Sequence, residues 1–245
     1  MNKSVIVTGG TSGIGLAAAK CFLDNGDNVV IAGRNKEKGD AALKEIGAPE
    51  GKAYAFACDT TDEAAVKALV DFAVEKFGKL DVMVTAAGAA RAVKIHEEDA
   101  EGWNHIISTD LTSVFYCNRD AIQAFQKQGN GGAIVNVSSI AGLCGMTSSH
   151  GYSAAKAAVA NMTKSLGVTY AKEGIRVNAV APGYVKTPLI AGLPEERVKS
   201  MEALHPIGRF AEPSEIGEVI YFLASEKASF ITGVVVPVDG GYSII

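Results

Sequence analysis

Along the chain, short runs of β-branched and other apolar residues recur, each followed by a stretch in which apolar positions return every three or four residues. The short runs lie at 4–8, 28–32, 53–57, 80–85, 133–137, 176–180 and 234–238. They are apolar with little interruption rather than alternating with polar residues, which predicts strands covered on both faces. Helix-period stretches occupy 15–25, 62–77, 104–126, 152–172 and 213–224. Pro213 opens the last of these, where its missing N–H deprives the helix of nothing. Such alternation predicts βαβ crossovers, hence an α/β fold: one Rossmann-like, doubly wound parallel sheet of about seven strands with helices on both faces. A single domain is expected over residues 1–245. Between 183 and 212 the pattern loosens, punctuated by Gly183, Pro188, Gly192, Pro194, Pro206 and Gly208. That is too long for an ordinary connection and reads as a substrate lid rather than a surface excursion.

Composition narrows the function. With 48% hydrophobic residues spread over 245 positions, the chain has ample core material and no disordered tract. A formal charge of −4 offers no general attraction to phosphate backbones, so a nucleic-acid partner is not expected. No apolar run approaches the ~20 residues needed to span a bilayer, and Met1-Asn2-Lys3 runs straight into the first strand without a leader-like segment. A cytoplasmic protein with no membrane partner is the expectation. Cys21, Cys58, Cys117 and Cys144 form no metal spacing and read as small hydrophobes in a reducing compartment. His96, His105, His150 and His205 show none either, so no metal is expected.

The first strand ends in Thr8-Gly9-Gly10-Thr11-Ser12-Gly13-Ile14-Gly15 and a helix starts at once. Glycines there let the backbone approach a pyrophosphate, whose charge then faces the N–H groups of a helix N-terminus. Position between strand and helix is the context that gives the pattern meaning. The second strand would carry the residue that reads the adenosine ribose. An NAD site uses a carboxylate there; this chain has Gly33-Arg34-Asn35. A guanidinium bonds a 2′-phosphate or stacks on the adenine, so NADP(H) is favoured, with NAD(H) the alternative.

Tyr152 and Lys156, four apart in a predicted helix, share one face. A tyrosine ionises near pKa 10, and lowering that by ~3 units takes about 4 kcal/mol. A neighbouring ammonium and an oxidised nicotinamide together provide such stabilisation. Ser139, just after the 133–137 strand, is placed to bond a substrate oxygen.

Thr8–Gly15, then Ser139 thirteen residues before Tyr152, then Lys156, then Pro182-Gly183 with Thr187, closely resemble the short-chain dehydrogenase/reductase superfamily over the whole chain, bacterial ketoreductases among them. The resemblance implies hydride transfer between a nicotinamide and an alcohol or ketone carbon. Tyr152 would be the general acid/base, Ser139 the group that orients the substrate oxygen, and Lys156 the holder of the nicotinamide ribose. It further implies that Gly9, Thr11, Ser12, Gly13, Ile14 and Gly15 cradle the pyrophosphate and that Asp59 contacts adenine. Ala87 and Gly88 would pass beside the cofactor, with Pro182, Gly183, Val185 and Thr187 near the nicotinamide. A homotetramer is implied too, built through the helices at 104–126 and 152–172.

Two positions depart from the family. Thr85-Ala86-Ala87-Gly88 stands where Asn-Asn-Ala-Gly is usual, which puts the polar contacts that stiffen the central sheet in doubt. Asp110-Leu111 stands where the family has Asn-Leu, whose asparagine supports a proton relay partly through its main-chain carbonyl. An aspartate keeps that carbonyl, and the reading adopted is a tolerated near-isostere whose side chain need not touch Lys156. Two rival functions are open to such a chain. A 3-oxoacyl-thioester reductase of fatty-acid synthesis would dock an acidic carrier through arginines, but Asn130 and Glu173 stand at those places. A non-catalytic nucleotide-sensing protein would be expected to lose the tyrosine or lysine. Leu143, Met146, Tyr184, Leu189, Ile190 and Leu193 suggest a hydrophobic or alicyclic substrate.

Overall fold

The computed structural model describes residues 2–188, 190 and 192–244. Seven parallel strands form one sheet in the order β3-β2-β1-β4-β5-β6-β7. They are β1 (Ser4–Thr8), β2 (Asn28–Gly33), β3 (Ala53–Ala57), β4 (Val82–Thr85), β5 (Gly132–Val137), β6 (Ile175–Pro182) and β7 (Val235–Val238). The doubly wound sheet read from the sequence is thus present, and strand order reverses between β1 and β4, where such sheets open a crevice at the strands' C-terminal ends.

Side-chain alternation sorts the strand residues into two cores. Val5, Val7, Val29, Ile31, Val82 and Val84 face α1 (Gly13–Asp24) and α8 (Pro213–Ala224), which contribute Phe22, Ile216 and Ile220. Ile6, Val30, Met83, Ile134 and Val177 face α3 (Glu63–Phe77) and α5 (Ser113–Gln128), which contribute Leu69, Ala121 and Phe125. Uninterrupted apolar runs are what two covered faces require. The edge strands relax the rule: Ala57 of β3 is exposed, as is Pro237 of β7, whose missing N–H is tolerated at an edge.

Helix starts follow local chemistry. Asp62 caps α3 by accepting from Ala64 N at 2.8 Å, and Asp99 caps α4 (Ala100–Ile107) by accepting from Gly102 N at 2.6 Å. Glu98, just before that cap, is tied to Arg91 at 2.8 Å. Three expectations need revision. The helix expected at 104–126 is α4, a π-helical turn at Ser108–Thr112, and α5. Two helices absent from the reading are α2 (Lys36–Glu45), which buries only Gly39, Ala42 and Leu43, and α7 (Glu195–Glu202), which buries nothing. The helix expected at 152–172 is α6, His150–Tyr170.

The doubt over the central sheet is resolved by substitution of partners. Thr85 and Asn136 are in register across β4 and β5. The Thr85 hydroxyl donates to Asn136 Oδ1 at 2.8 Å, Asn118 Nδ2 donates to the same oxygen at 3.1 Å, and Asn136 Nδ2 donates to Thr163 at 3.0 Å. All four are buried. Residues 183–212 leave the sheet after β6 and return through a bridge between Val185 and Ala211, with α7 in between. Leu189, one of the expected substrate-contacting residues, lies outside the described residues.

Candidate active site

A cleft of about 870 Å³ lies over the C-terminal ends of β1, β2, β4, β5 and β6. Every catalytic and cofactor-binding residue expected from the sequence lines it: Gly9, the Thr11–Gly15 run, Arg34, Asp59, Ala87, Gly88, Asp110, Ser139, Tyr152, Lys156, Pro182, Gly183, Val185 and Thr187.

Its floor is backbone. Gly9 has φ +64°, and a Cβ there would fall 2.6 Å from the carbonyl oxygen of Ala86. The glycine loop and the Ala86–Gly88 stretch therefore touch main chain to main chain, held by Ala86 N donating to Thr8 O at 3.2 Å. Ser12 occupies the N-cap position of α1 yet its side chain caps no amide, so the helix presents uncapped N–H groups to the cleft. Gly13, at φ +53°, has the methyl of Thr187 overhead, 3.1 Å from where a Cβ would lie. A bare floor, free helix amides and a polar rim fit the pyrophosphate of a dinucleotide.

At one end Arg34 is exposed and forms no ion pair among the described residues. Asp59 accepts from Thr61 N at 2.9 Å and Thr61 Oγ1 at 2.8 Å, and these bonds, the backbone one foremost, hold its carboxyl below the usual range against a smaller opposing desolvation. In the middle, Lys156 is 4% exposed. Its ammonium donates to Val137 O at 3.1 Å, lies 3.1 Å from Asp110 Oδ1, and is 5.6 Å from the centre of the Tyr152 ring. Ser139 lies at the end of β5, its hydroxyl accepting from Ala141 N at 3.1 Å. Three groups suited to polarising one oxygen thus open onto the same cleft.

The expectation that the Asp110 side chain need not touch Lys156 is corrected here. The π-helical turn carries this side chain inward, where it has no exposure and contacts Lys156 directly. Ala89 N donates to both carboxylate oxygens, at 3.3 and 3.1 Å. Gly88 is needed beneath it, since a Cβ there would sit 2.7 Å from Asp110 Oδ1. Burial pushes the Asp110 carboxyl upward while Lys156 and the Ala89 N–H oppose that.

Several contributors were not foreseen. Ser138 donates to Lys156 O at 2.8 Å and anchors the helix that carries Tyr152 and Lys156; only its adjacency to Ser139 hinted at this. His105 lines the cleft, as do Ser108 and Thr109, because the π-helical turn rotates that face inward. His205 packs over Gly183, its Nε2 accepting from Tyr184 N at 3.1 Å while Nδ1 is 3.1 Å from Met201 O. That pairing fixes a neutral ring with the proton on Nδ1. Met146, Tyr184 and Ile190 line the cleft, whereas Leu143, 41% exposed, and Leu193 do not. Nor does His150. Cys58 also lines it, but burial pushes its thiol up to about 11, unsuited to nucleophilic work. Among the described residues no group of His, Cys, Asp and Glu could hold a metal ion, and no helix is long and apolar enough to cross a membrane.

Comparison with known proteins gives this arrangement its context. Residues 9–243 match the family described as enoyl-(acyl carrier protein) reductase. The chain is 48% identical to cis-4-hydroxycyclohexanecarboxylate dehydrogenase of Sinomonas cyclohexanicum, over 99% of this chain and 97% of that protein. It is 43% identical to cyclohexanol dehydrogenase of an Acinetobacter species, strain SE19, over 99% and 95%. Among solved structures, a variant of actinorhodin polyketide ketoreductase with NADPH superposes with a TM-score of 0.93 at 34% identity, covering 100% of this chain and 98% of that one.

Proposed function

Because the chain belongs to the short-chain dehydrogenase/reductase family, we propose that Ser139, Tyr152 and Lys156 are the residues that carry its chemistry. The protein is an NAD(P)(H)-dependent oxidoreductase that interconverts a secondary alcohol and a ketone. A nicotinamide bound in this cleft would supply the hydride transfer to or from the carbinol carbon. Everything else falls to the chain. Tyr152 takes the hydroxyl proton in oxidation and returns it to the carbonyl oxygen in reduction. Ser139 donates to that oxygen and holds it near the phenol. Lys156 stabilises the phenolate by charge and grips the nicotinamide ribose. NADP(H) is the favoured cofactor, held by the Gly9–Gly15 loop with Arg34 toward the 2′-phosphate, a reading supported by the NADPH-bound relative.

The observation that carries this assignment is the burial of the Lys156 ammonium beside the Tyr152 ring, on the cleft that Ser139 also lines. Tyr152→Phe should lower kcat at least 100-fold while leaving cofactor affinity within a few-fold; Lys156→Ala should damage both. Retention of more than about a tenth of kcat by Tyr152→Phe would remove the assigned role.

Around the reacting groups, Met146, Ser149, Tyr184 and Ile190 form an uncharged wall. A neutral alicyclic alcohol or ketone suits it, with residues 183–212 acting as the lid of a single domain. Carrier docking finds no support, since Glu173 accepts from Gln126 at 2.8 Å and Asn130 from Gln128 at 3.3 Å, with no arginine at either place. A cytoplasmic homotetramer is the proposed assembly. Ala154 and Ala157 face outward on α6, Phe115 is 46% exposed on α5, and both helices offer surface to copies of themselves. Ala155 and Ala160, by contrast, are buried within the subunit. A monomer in light scattering at micromolar concentration would overturn the assembly.

A further inference from the structure

Asp110 is the one acidic side chain lining the cleft that has no exposure at all. Leaving a charge in such a place is costly unless it is paired and hydrogen-bonded. Here both conditions are met. Lys156 Nζ lies 3.1 Å from Oδ1, and Ala89 N donates to Oδ2 at 3.1 Å. The contact depends on two features of the backbone, the π-helical turn at Ser108–Thr112 and the absence of a Cβ at Gly88. Such π-helical turns are rare and are found frequently at functional sites.

We propose that Asp110 is the ionised counter-ion of Lys156, a positioning residue that makes the buried ammonium part of a near-neutral pair and so sets the pH at which the Tyr152 site works. The inference rests on the roles given above to Tyr152 and Lys156. An asparagine in this place would keep an acceptor for Ala89 N–H but bring no charge. The anion does two opposing things. It holds the ammonium in position, and it offsets part of the field that this ammonium exerts on the neighbouring phenol. A fixed negative charge raises the proton affinity of every acid near it. The other charged or titratable groups facing the pair are Tyr152 from α6 and His105 from α4, with Asp59 beyond His105. Of these groups, Asp110 is the acid in direct contact with the ammonium.

The sign of the effect follows. With Lys156 still an ammonium bonded to Val137 O, removing the negative charge lowers the pH at which the catalytic base becomes available, so the acidic limb of alcohol oxidation moves down; an acidic midpoint that rises would overturn the proposal. A carboxyl that remained protonated would make Asp110→Asn electrically silent. The experiment is the pH dependence of kcat/KM for oxidation of cyclohexanol with NADP⁺, from pH 5.5 to 10, for wild type, Asp110→Asn and Asp110→Ser. Both variants should show the acidic midpoint lowered by about one unit or more. Folded variants, by circular dichroism, whose midpoints stay within about 0.3 unit of wild type would overturn the proposal. Loss of folding in both would give the residue a purely structural role and overturn it as well. Tyr152→Phe run alongside separates the two readings: if it retains turnover, the assignment of the base fails, whatever Asp110 does.

Discussion

Replacing Arg34 by alanine should weaken NADPH binding and leave NADH binding nearly untouched. Arg34 follows β2 directly, is exposed, and lines the same cleft as the glycine loop. It has no ion-pair partner among the described residues, whereas nearby Lys36 is engaged with Asp40 at 2.7 Å. A charge-assisted hydrogen bond contributes ~1.5–3 kcal/mol, which at 1.4 kcal/mol per decade is about 10- to 140-fold in Kd. Because the site is open to water, the lower end, about 10- to 30-fold, is expected. Fluorescence titration of each reduced cofactor against wild type and Arg34→Ala measures both constants, and the NADH value should change less than about threefold. Equal loss for both cofactors, or wild-type kcat/KM no better with NADPH than with NADH, would refute the reasoning. The converse change is harder than the sequence suggests. Gly33→Asp would supply an acceptor for a ribose hydroxyl, but a Cβ at position 33 falls 2.7 Å from Thr11 Cγ2. Thr11 must rotate or lose its methyl, so Arg34→Ala with Gly33→Asp should gain NADH affinity fully only when Thr11→Ser is added.

Gly9→Ala should raise the NADPH Kd at least tenfold, since its Cβ meets the Ala86 carbonyl at 2.6 Å and its φ of +64° costs a further ~1–2 kcal/mol; unchanged binding by titration would contradict a backbone-lined floor. Asn136→Ala should lower Tm by about 4–12 °C, from ~2–3 kcal/mol for leaving the Thr85 hydroxyl and its neighbours unpaired in the core. A fall of less than about 2 °C in calorimetry would mean that water or rearrangement satisfies those groups.

The sheet was legible because its strands are covered on both sides, so their apolar runs are nearly continuous and owe little to context. Helices were legible in proportion to the surface they bury. α8 buries Ile216, Ile220 and Leu223 at helical spacing, while α7 buries nothing and carries no such pattern. The same reason explains why Leu143 and Leu193 were misplaced: apolar character does not say which side of a loop faces inward. The proximity of the three proposed reacting residues was legible for a different reason. Tyr152 and Lys156 are separated by one helical turn, so their proximity is a local fact, and Ser139 is fixed by the end of a strand whose register is forced by its neighbours.

Asp110 is the contrasting case. Its neighbours in the sequence predict an uninterrupted helix, and on a regular helix nothing about the residue indicates contact with a lysine on α6, 46 positions away. The contact arises from an extra residue accommodated in one turn, and the room for that side chain is made by Gly88, on a third element. No window of sequence contains all three. The consequence reaches the chemistry, because one oxygen in place of one nitrogen changes a hydrogen-bonding group into a charge that has little solvent to screen it. A pattern-based reading ranks asparagine and aspartate as near equals, and by shape they are. At an exposed site that ranking would hold. At 3.1 Å from a buried ammonium, with the general base on the same helix one turn away, the difference in charge outweighs the likeness in shape, and so the departure from the family is located where it bears on proton transfer.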